Sequence, residues 1–486
     1  MLEGSERMVL NPHNRVPTGI SGLDEVIGGG FPRGSMIVLA GNPGTGKTIF
    51  SALFLYNGIV NYGERGIYVS FAESRETFLS NTYNMGLDFE KLEKEGKFRI
   101  IDMLTVKGEA APSILETLLE EASRIGAKRI IIDSFSAMAQ AFRETHEARI
   151  VLHTILSRVT RLLGCTVILV VEVPYGENKI GLGIEEFVAD GIILLNKTKF
   201  NRRILRKLEV LKMRGVPIPE AEVVFTLKGG FKVFPPFKPK PVEKPRRFQP
   251  QPDTEEYFST GSPDLDEMLG GGYPRGSLVL LEVGEYVSIP QFHLIIAPTD
   301  QNFLAHGRAI LSIPSRGVDH NLIRKWLEEA GFTRDEINKR LRICVKENPE
   351  LKPEPYLVTF RGESLAEDYA KYLEVEQKLI EDTDQPILHI TGVDTLIDMY
   401  GARESLSVIR TYATRVRETG GLGMLILKPG YSRLAKIFAA TADVHLRITR
   451  RYGSVLLYGV KPRTNLYVLE MDMSKGYIMP KLTSII

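Results

Sequence analysis

Residues 36–62 read MIVLAGNPGTGKTIFSALFLYNGIVNY. Residues 36–40 are an unbroken apolar run, the pattern of a strand buried on both faces. From residue 48 to 62 apolar residues return at three- and four-residue spacing, the pattern of a helix. Between the two, Gly41-Asn42-Pro43-Gly44-Thr45-Gly46-Lys47-Thr48 fits G-x-x-x-x-G-K-[ST]. The glycines let main-chain N–H groups turn inward around a phosphate, and the helix opening near Lys47 points its positive end at the same anion. In such a loop the lysine reaches the β- and γ-phosphates and the Thr48 hydroxyl holds Mg²⁺. A glycine-rich turn with a surface lysine fits the pattern too, but a strand before and a helix after favour the phosphate loop. The expected nucleotide contacts are Gly41, Asn42, Pro43, Gly44, Thr45, Gly46, Lys47, Thr48 and Ile49.

Outward from this stretch, strand and helix patterns alternate. GIYVSF (66–71), FRIID (98–102), RIIID (129–133) and TVILVVE (166–172) read as buried strands, and residues 111–125 and 147–163 as helices. Alternation of this kind predicts a mostly parallel sheet with helices on both faces. Residues 191–233 carry several strand patterns without helices between them, as an antiparallel extension does. Asp133 ends its strand two βα units after the loop, where a carboxylate holds Mg²⁺ through water. Glu73 follows the strand 66–71 and opens on the same crevice, placed to polarise an attacking water; a solvated residue favoured by a helix N-terminus is the alternative. Lys212 and Arg214 alternate along a strand, which is more often a solvated edge than a site. The run 197–207 is basic, but Phe200 is its only aromatic, so it reads as an exposed hairpin and not as a base-stacking platform.

Residues 18–35 read TGISGLDEVIGGGFPRGS, and residues 260–277 read TGSPDLDEMLGGGYPRGS, 242 positions on and without a gap. The chain therefore holds two copies of one domain: residues 1–234, with the intact loop, and residues 257–486. Between them, 235–256 is proline-dense and basic, and reads as an extended solvated spacer more readily than as a grip on nucleic acid. Within 486 residues, 43% are hydrophobic and 25% charged, which excludes a disordered chain. Lys and Arg number 62 against 60 Asp and Glu, too balanced for a protein held to DNA by bulk charge. Two cysteines build no disulfide framework. Neither a signal peptide nor an 18-residue apolar span is legible, so the expected location is the cytoplasm, with no membrane span.

PTGISGLDEVIGGGFPRGS followed by GNPGTGKT, then IIIDSFSAM, GIEEFVADGIILL and LEVLKMRG, resembles in family order the KaiC-like branch of the RecA/RadA ATPases. A related archaeal group that includes gas-vesicle regulators is similar in outline. The resemblance implies an α/β fold of two tandem RecA-like P-loop units, ATP and Mg²⁺ as ligands, and a homo-oligomer, by resemblance a hexameric ring with ATP between subunits. It assigns phosphate and Mg²⁺ contacts to Lys47, Thr48 and Asp133, and contacts to a neighbour's nucleotide to Lys212 and Arg214. The family carries two adjacent glutamates after the second strand, one of them the general base; here the first is Ala72, and Glu73 remains. Slow turnover, suited to a switch, is the expectation. Composition rich in Glu, Lys, Arg and Ile hints at a thermophilic archaeon.

The second copy departs further. At the same offset the loop becomes Val283-Gly284-Glu285-Tyr286-Val287-Ser288-Ile289-Pro290, with Ile289 for Lys47 and Pro290 for Thr48. Thr391 is expected in place of Asp133 and Arg316 in place of Glu73, so this copy is expected to lack Mg-ATP, and the kinase activity of KaiC's second lobe does not carry over. Lys461-Pro462-Arg463 keeps the spacing of Lys212 and Arg214. Three function classes follow: an ATP-dependent switch acting on a protein partner, a DNA-dependent RadA-like ATPase, and an ATP-binding scaffold without hydrolysis. The loop 175–183, where recombinases contact DNA, is nearly neutral, which favours the switch.

Overall fold

The computed structural model describes residues 14–103, 111–139, 153, 157–176, 180 and 188–486. The helix expected over 147–163 is described only for Ser157–Leu162, and much of the loop 175–183 lies outside the described residues. The chain divides into two compact units, one closing at Pro236 and the other opening at Phe237.

In the first unit the sheet strands are β1 (Met36–Gly41), β2 (Gly66–Ser70), β3 (Phe98–Asp102), β4 (Arg129–Asp133), β5 (Thr166–Glu172), β6 (Gly191–Phe200), β7 (Arg203–Met213), β8 (Glu222–Thr226) and β9 (Lys232–Phe234). They lie in the order β9-β8-β7-β6-β1-β5-β4-β2-β3. From β6 to β3 every pairing is parallel; β7, β8 and β9 add the antiparallel extension. The long apolar strands are explained by burial on both sides. Ile37 and Leu39 pack on one face with Phe50 and Phe54 of α1 (Lys47–Tyr62), and Met36, Val38 and Ala40 pack on the other with Leu118 of α2 (Ala111–Ile125) and Val159. The basic run 197–207 forms a tight hairpin whose turn residues, Asn201 and Arg202, take φ of 46° and 59°.

The second unit repeats this plan. Its strands are β10 (Ser277–Val283), β11 (Ile310–Ile313), β12 (Leu341–Lys346), β13 (Leu357–Phe360), β14 (Leu388–Gly392), β15 (Leu422–Leu427), β16 (Val444–Arg451), β17 (Ser454–Lys461), β18 (Tyr467–Asp472) and β19 (Met479–Ser484). The order β13-β12-β11-β14-β15-β10-β16-β17-β18-β19 is that of the first sheet with one further parallel strand, β13, at its edge. The N-terminus of the central strand is fixed alike in both units: Asp190 accepts from the Met36 N–H at 3.0 Å, and Asp443 from the Leu278 N–H at 2.9 Å.

Between Phe234 and Tyr257 no regular element forms, as the prolines require. The stretch is nonetheless no free spacer. Phe248 is 2% exposed within the second core, its N–H donates to Ala330 O at 2.9 Å, and Arg247 grips Glu336 at 2.6 and 3.2 Å. A buried aromatic and a bidentate ion pair hold a chain that has few N–H groups of its own. Among the described residues, no helix is long and apolar enough to cross a membrane. Cys165 and Cys344 are free and buried, one in each unit.

Candidate active site

β1 ends at Gly41 and α1 starts at Lys47, so the loop lies at the C-terminal edge of the parallel sheet, where α/β sheets bind ligands. The N-cap of α1 is Gly46, with φ of 101° and no side-chain cap; only glycine takes this conformation without strain, and the first N–H groups of the helix are left for an anion. Asn42 pins the loop to β5 by donating to Val173 O at 2.8 Å, and Tyr175 donates to Pro43 O at 3.0 Å.

Lys47 is 8% exposed, and its Nζ donates to Gly41 O at 2.9 Å and Asn42 O at 3.1 Å. Burial lowers its pKa, and the nearby carboxylates of Glu172 and Asp133 oppose that shift. Asp133 is 7% exposed; its Oδ2 accepts from Thr48 Oγ1 at 3.2 Å and from Tyr68 OH at 2.6 Å. Burial raises its pKa, while the Tyr68 and Thr48 hydrogen bonds and Lys47 draw it back. A hydroxyl and a carboxylate oxygen side by side suit a hard divalent cation. Glu73 follows β2, the strand paired with β4, so it emerges at the same sheet edge as Asp133. It is half-buried, Asn81 Nδ2 lies 3.4 Å from its Oε2, and burial followed by the charge of Asp133 raises its pKa. A carboxylate whose pKa rises toward neutrality is a better proton acceptor for water.

Lys47, Thr48, Asp133 and Glu73 thus share one edge of the sheet. Lys212 and Arg214 do not. Lys212 pairs with Ile192, and Ile192 with Val38, three strand residues or about 10 Å from the Gly41 end, and Arg214 lies further off, past the level of Ile37. Arg214 lies beyond the end of β7 and binds Asp190 at 3.0 Å, so the two do not form one strand face.

Two contributors escaped the sequence reading. Tyr68 sits inside the buried strand β2, where its hydroxyl needs a partner; a tyrosine in an otherwise aliphatic run was the available signal. Arg206 belongs to the basic run expected to be exposed, yet it is 7% exposed and donates from Nη1 to Gly44 O at 3.2 Å. Nothing in the local pattern separates it from its solvated neighbours.

The second unit lacks every part of this arrangement. Its equivalent helix, α3 (Ile289–Ala305), opens with a Ser288–Gln291 capping box, the Ser288 N–H donating to Gln291 Oε1 at 2.9 Å, and Pro290 in the first turn has no N–H to offer. The ladders correct the expected equivalences by one residue. Val167 pairs with Met36 and Gly423 with Leu278; following these pairings across the sheet matches Arg129 to Leu388 and Asp133 to Gly392, not to Thr391. Gly66 likewise matches Ile310, and counting on matches Ala72 to Arg316 and Glu73 to Gly317. The conclusion that both carboxylates are absent is unchanged. Lys461 donates to Ala442 O at 2.8 Å.

Residues 16–237 match the family model described as KaiC ATPase, and residues 247–330 match one described as GvpD basic region 2. The circadian clock oscillator protein KaiC of Prochlorococcus marinus strain MIT 9313 is 31% identical over 276 residues, 55% of this chain and 54% of that protein. KaiC of Thermostichus vulcanus is 33% identical over 276 residues, 55% of this chain and 51% of that protein. The chain spans about half the length of these relatives. A crystal structure of a KaiC-like protein from Pyrococcus horikoshii is 37% identical, covers 46% of this chain and 99% of its own, and superposes with a TM-score of 0.42.

Proposed function

We propose, for a chain that belongs through residues 16–237 to the KaiC-like ATPases, that it is an ATP-driven switch: the first unit binds ATP with Mg²⁺ and hydrolyses it slowly, and the second unit binds none. The observation that carries this reading is the cluster of Lys47, Thr48, Asp133 and Glu73 at one sheet edge, against a self-capped helix and two glycines at the matching place in the second unit.

In this reading the N–H groups of residues 44–49 and the Lys47 ammonium bind the phosphates. Thr48 Oγ1 and Asp133 are the groups that hold Mg²⁺, and Tyr68 orients the carboxylate through its 2.6 Å hydrogen bond. Bound Mg²⁺ supplies charge neutralisation at the phosphates. Glu73 takes the proton of the attacking water, and Asn81 steadies it. In the same reading Lys212 and Arg214, away from their own loop, serve the nucleotide of a neighbouring copy in a homo-oligomer. The client is a protein partner in the cytoplasm.

The test is the ATPase rate of the full chain at low salt, with and without single-stranded DNA, together with sedimentation with and without a non-hydrolysable ATP analogue. The switch reading expects a slow rate that DNA leaves unchanged and an assembly that forms with the analogue. Strong stimulation by DNA overturns it in favour of a RadA-like ATPase. A rate no different from that of Glu73→Gln overturns hydrolysis and leaves an ATP-binding scaffold.

A further inference from the structure

The second unit contains a cavity of about 400 Å³ that the nucleotide chemistry does not use. The proline-rich chain at Pro241 and Pro245 forms one wall, α3 a second, and Trp326 of α4 (His320–Glu329) with Tyr477 the rest. An inner recess of about 30 Å³ shares His293, Gln301 and Trp326 with the cavity and adds Asp300 and Ser315.

The walls are mainly apolar and aromatic, with one cation, Lys240, and one carboxylate, Glu329, among them; the floor is polar. Asp300 Oδ1, Gln301 Oε1, His293 Nδ1 and Ser315 Oγ are all buried without a hydrogen-bond partner. Asp300 is 9% exposed and Gln301 5%. Buried polar groups are paired in the great majority of cases, and four unpaired atoms converging on one recess call for an explanation. Burial holds the Asp300 carboxyl well above the ordinary carboxylate range, the state of an acid with no cation beside it. Burial also drives the His293 ring down to about 3, so it is neutral and keeps a nitrogen able to accept.

The first unit shows what has been lost. There the Arg129 guanidinium fills the space beside Gly58, donating to Glu64 at 2.7 Å and to Phe54 O at 2.8 Å. At the 242 offset that carries one helix start onto the other, Gly58 becomes Asp300, and the strand ladders replace Arg129 with Leu388. The second unit has gained a carboxyl group and lost the N–H-rich cation.

We propose that this cavity binds a small planar molecule with an N–H-rich edge, an amidine, guanidine or amino-heteroaromatic, whose donors pair with Asp300 and Gln301 and whose flat body lies against Trp326. The reading is independent of the ATP site, since every residue it uses belongs to the second unit. Only one tryptophan is present in the chain, so its emission reports on this cavity alone.

The experiment titrates the full chain, its first unit saturated with Mg-ADP, with benzamidine, cytosine and adenine in turn, following tryptophan fluorescence. The proposal expects a saturable change with at least one probe, weakened tenfold or more by Asp300→Asn and by Gln301→Leu. Ala297→Leu, which obstructs a position lining both chambers without removing a polar atom or adding a second tryptophan, should abolish it, and keeps the test open if the polar variants do not fold. No saturable change with any of the three probes, the result if the recess holds water alone, overturns the proposal. So does a change that survives all the substitutions.

Discussion

Lys47 and Ile289 each begin the helix that follows the central strand of their unit, and the two helix starts show how a fold outlives its chemistry. In the first unit a glycine in left-handed conformation leaves the helix N–H groups uncapped, and an ammonium and a hydroxyl stand beside them. In the second, a capping box closes the helix on itself and a proline removes a donor. Both units keep the strand order and the aspartate that fixes the N-terminus of the central strand, because those features serve packing. The carboxylates at the sheet edge are not kept, and glycines stand at the matching positions of the second unit.

The comparison can be broken most forcefully at Glu73. Glu73→Gln should lower the hydrolysis rate by on the order of 10²–10⁴ while nucleotide affinity holds, read as a single-turnover rate beside a binding isotherm. Because the Glu73 pKa is raised and the base acts ionised, the wild-type rate should fall on the acid side at a pH above the ordinary glutamate value, and the variant should lack that limb. Tyr68→Phe removes a donor to a buried carboxylate and should cost about 1.5–3 kcal/mol of Mg-ATP binding, measured by calorimetry. The double graft Ile289→Lys/Pro290→Thr sharpens the contrast by adding the loop side chains to the second unit. With Gly392 and Gly317 still lacking carboxylates, it should gain no nucleotide. The smallest effect lies where the proline-rich chain meets the second unit. Arg247 lowers the Glu336 pKa to about 2, below the ordinary value of about 4.3, so this pair contributes stability above pH 4.3 that is lost as the pH falls toward 2. Glu336→Gln should flatten that part of the acid-unfolding curve, and only slightly, since the pair is partly exposed to solvent.

Strand–helix alternation and the phosphate loop were legible in residues 36–172 because buried parallel strands are unbroken apolar runs and the loop is a contiguous string. The strand limits 98–102, 129–133 and 166–172 are those of the structure. What escaped depends on partners distant in sequence. The Tyr68 hydroxyl meets Asp133 only across two strands, and Arg206 meets Gly44 only because β7 folds back along β6. Matching the carboxylates of the second unit failed by one residue because the 242 offset holds only near the repeat, and the strand pairings carry the register past the loops. The proline-rich stretch misled because composition describes its backbone and not the burial of Phe248.

The central claim is that one of two like folds holds the nucleotide. Counting ATP per chain by equilibrium dialysis with Mg²⁺, in wild type and in Lys47→Ala, tests it most directly. The account predicts one ATP per chain in wild type and a loss of affinity on the order of 10²-fold in the variant; two ATP per chain, or one retained at full affinity in Lys47→Ala, contradicts it.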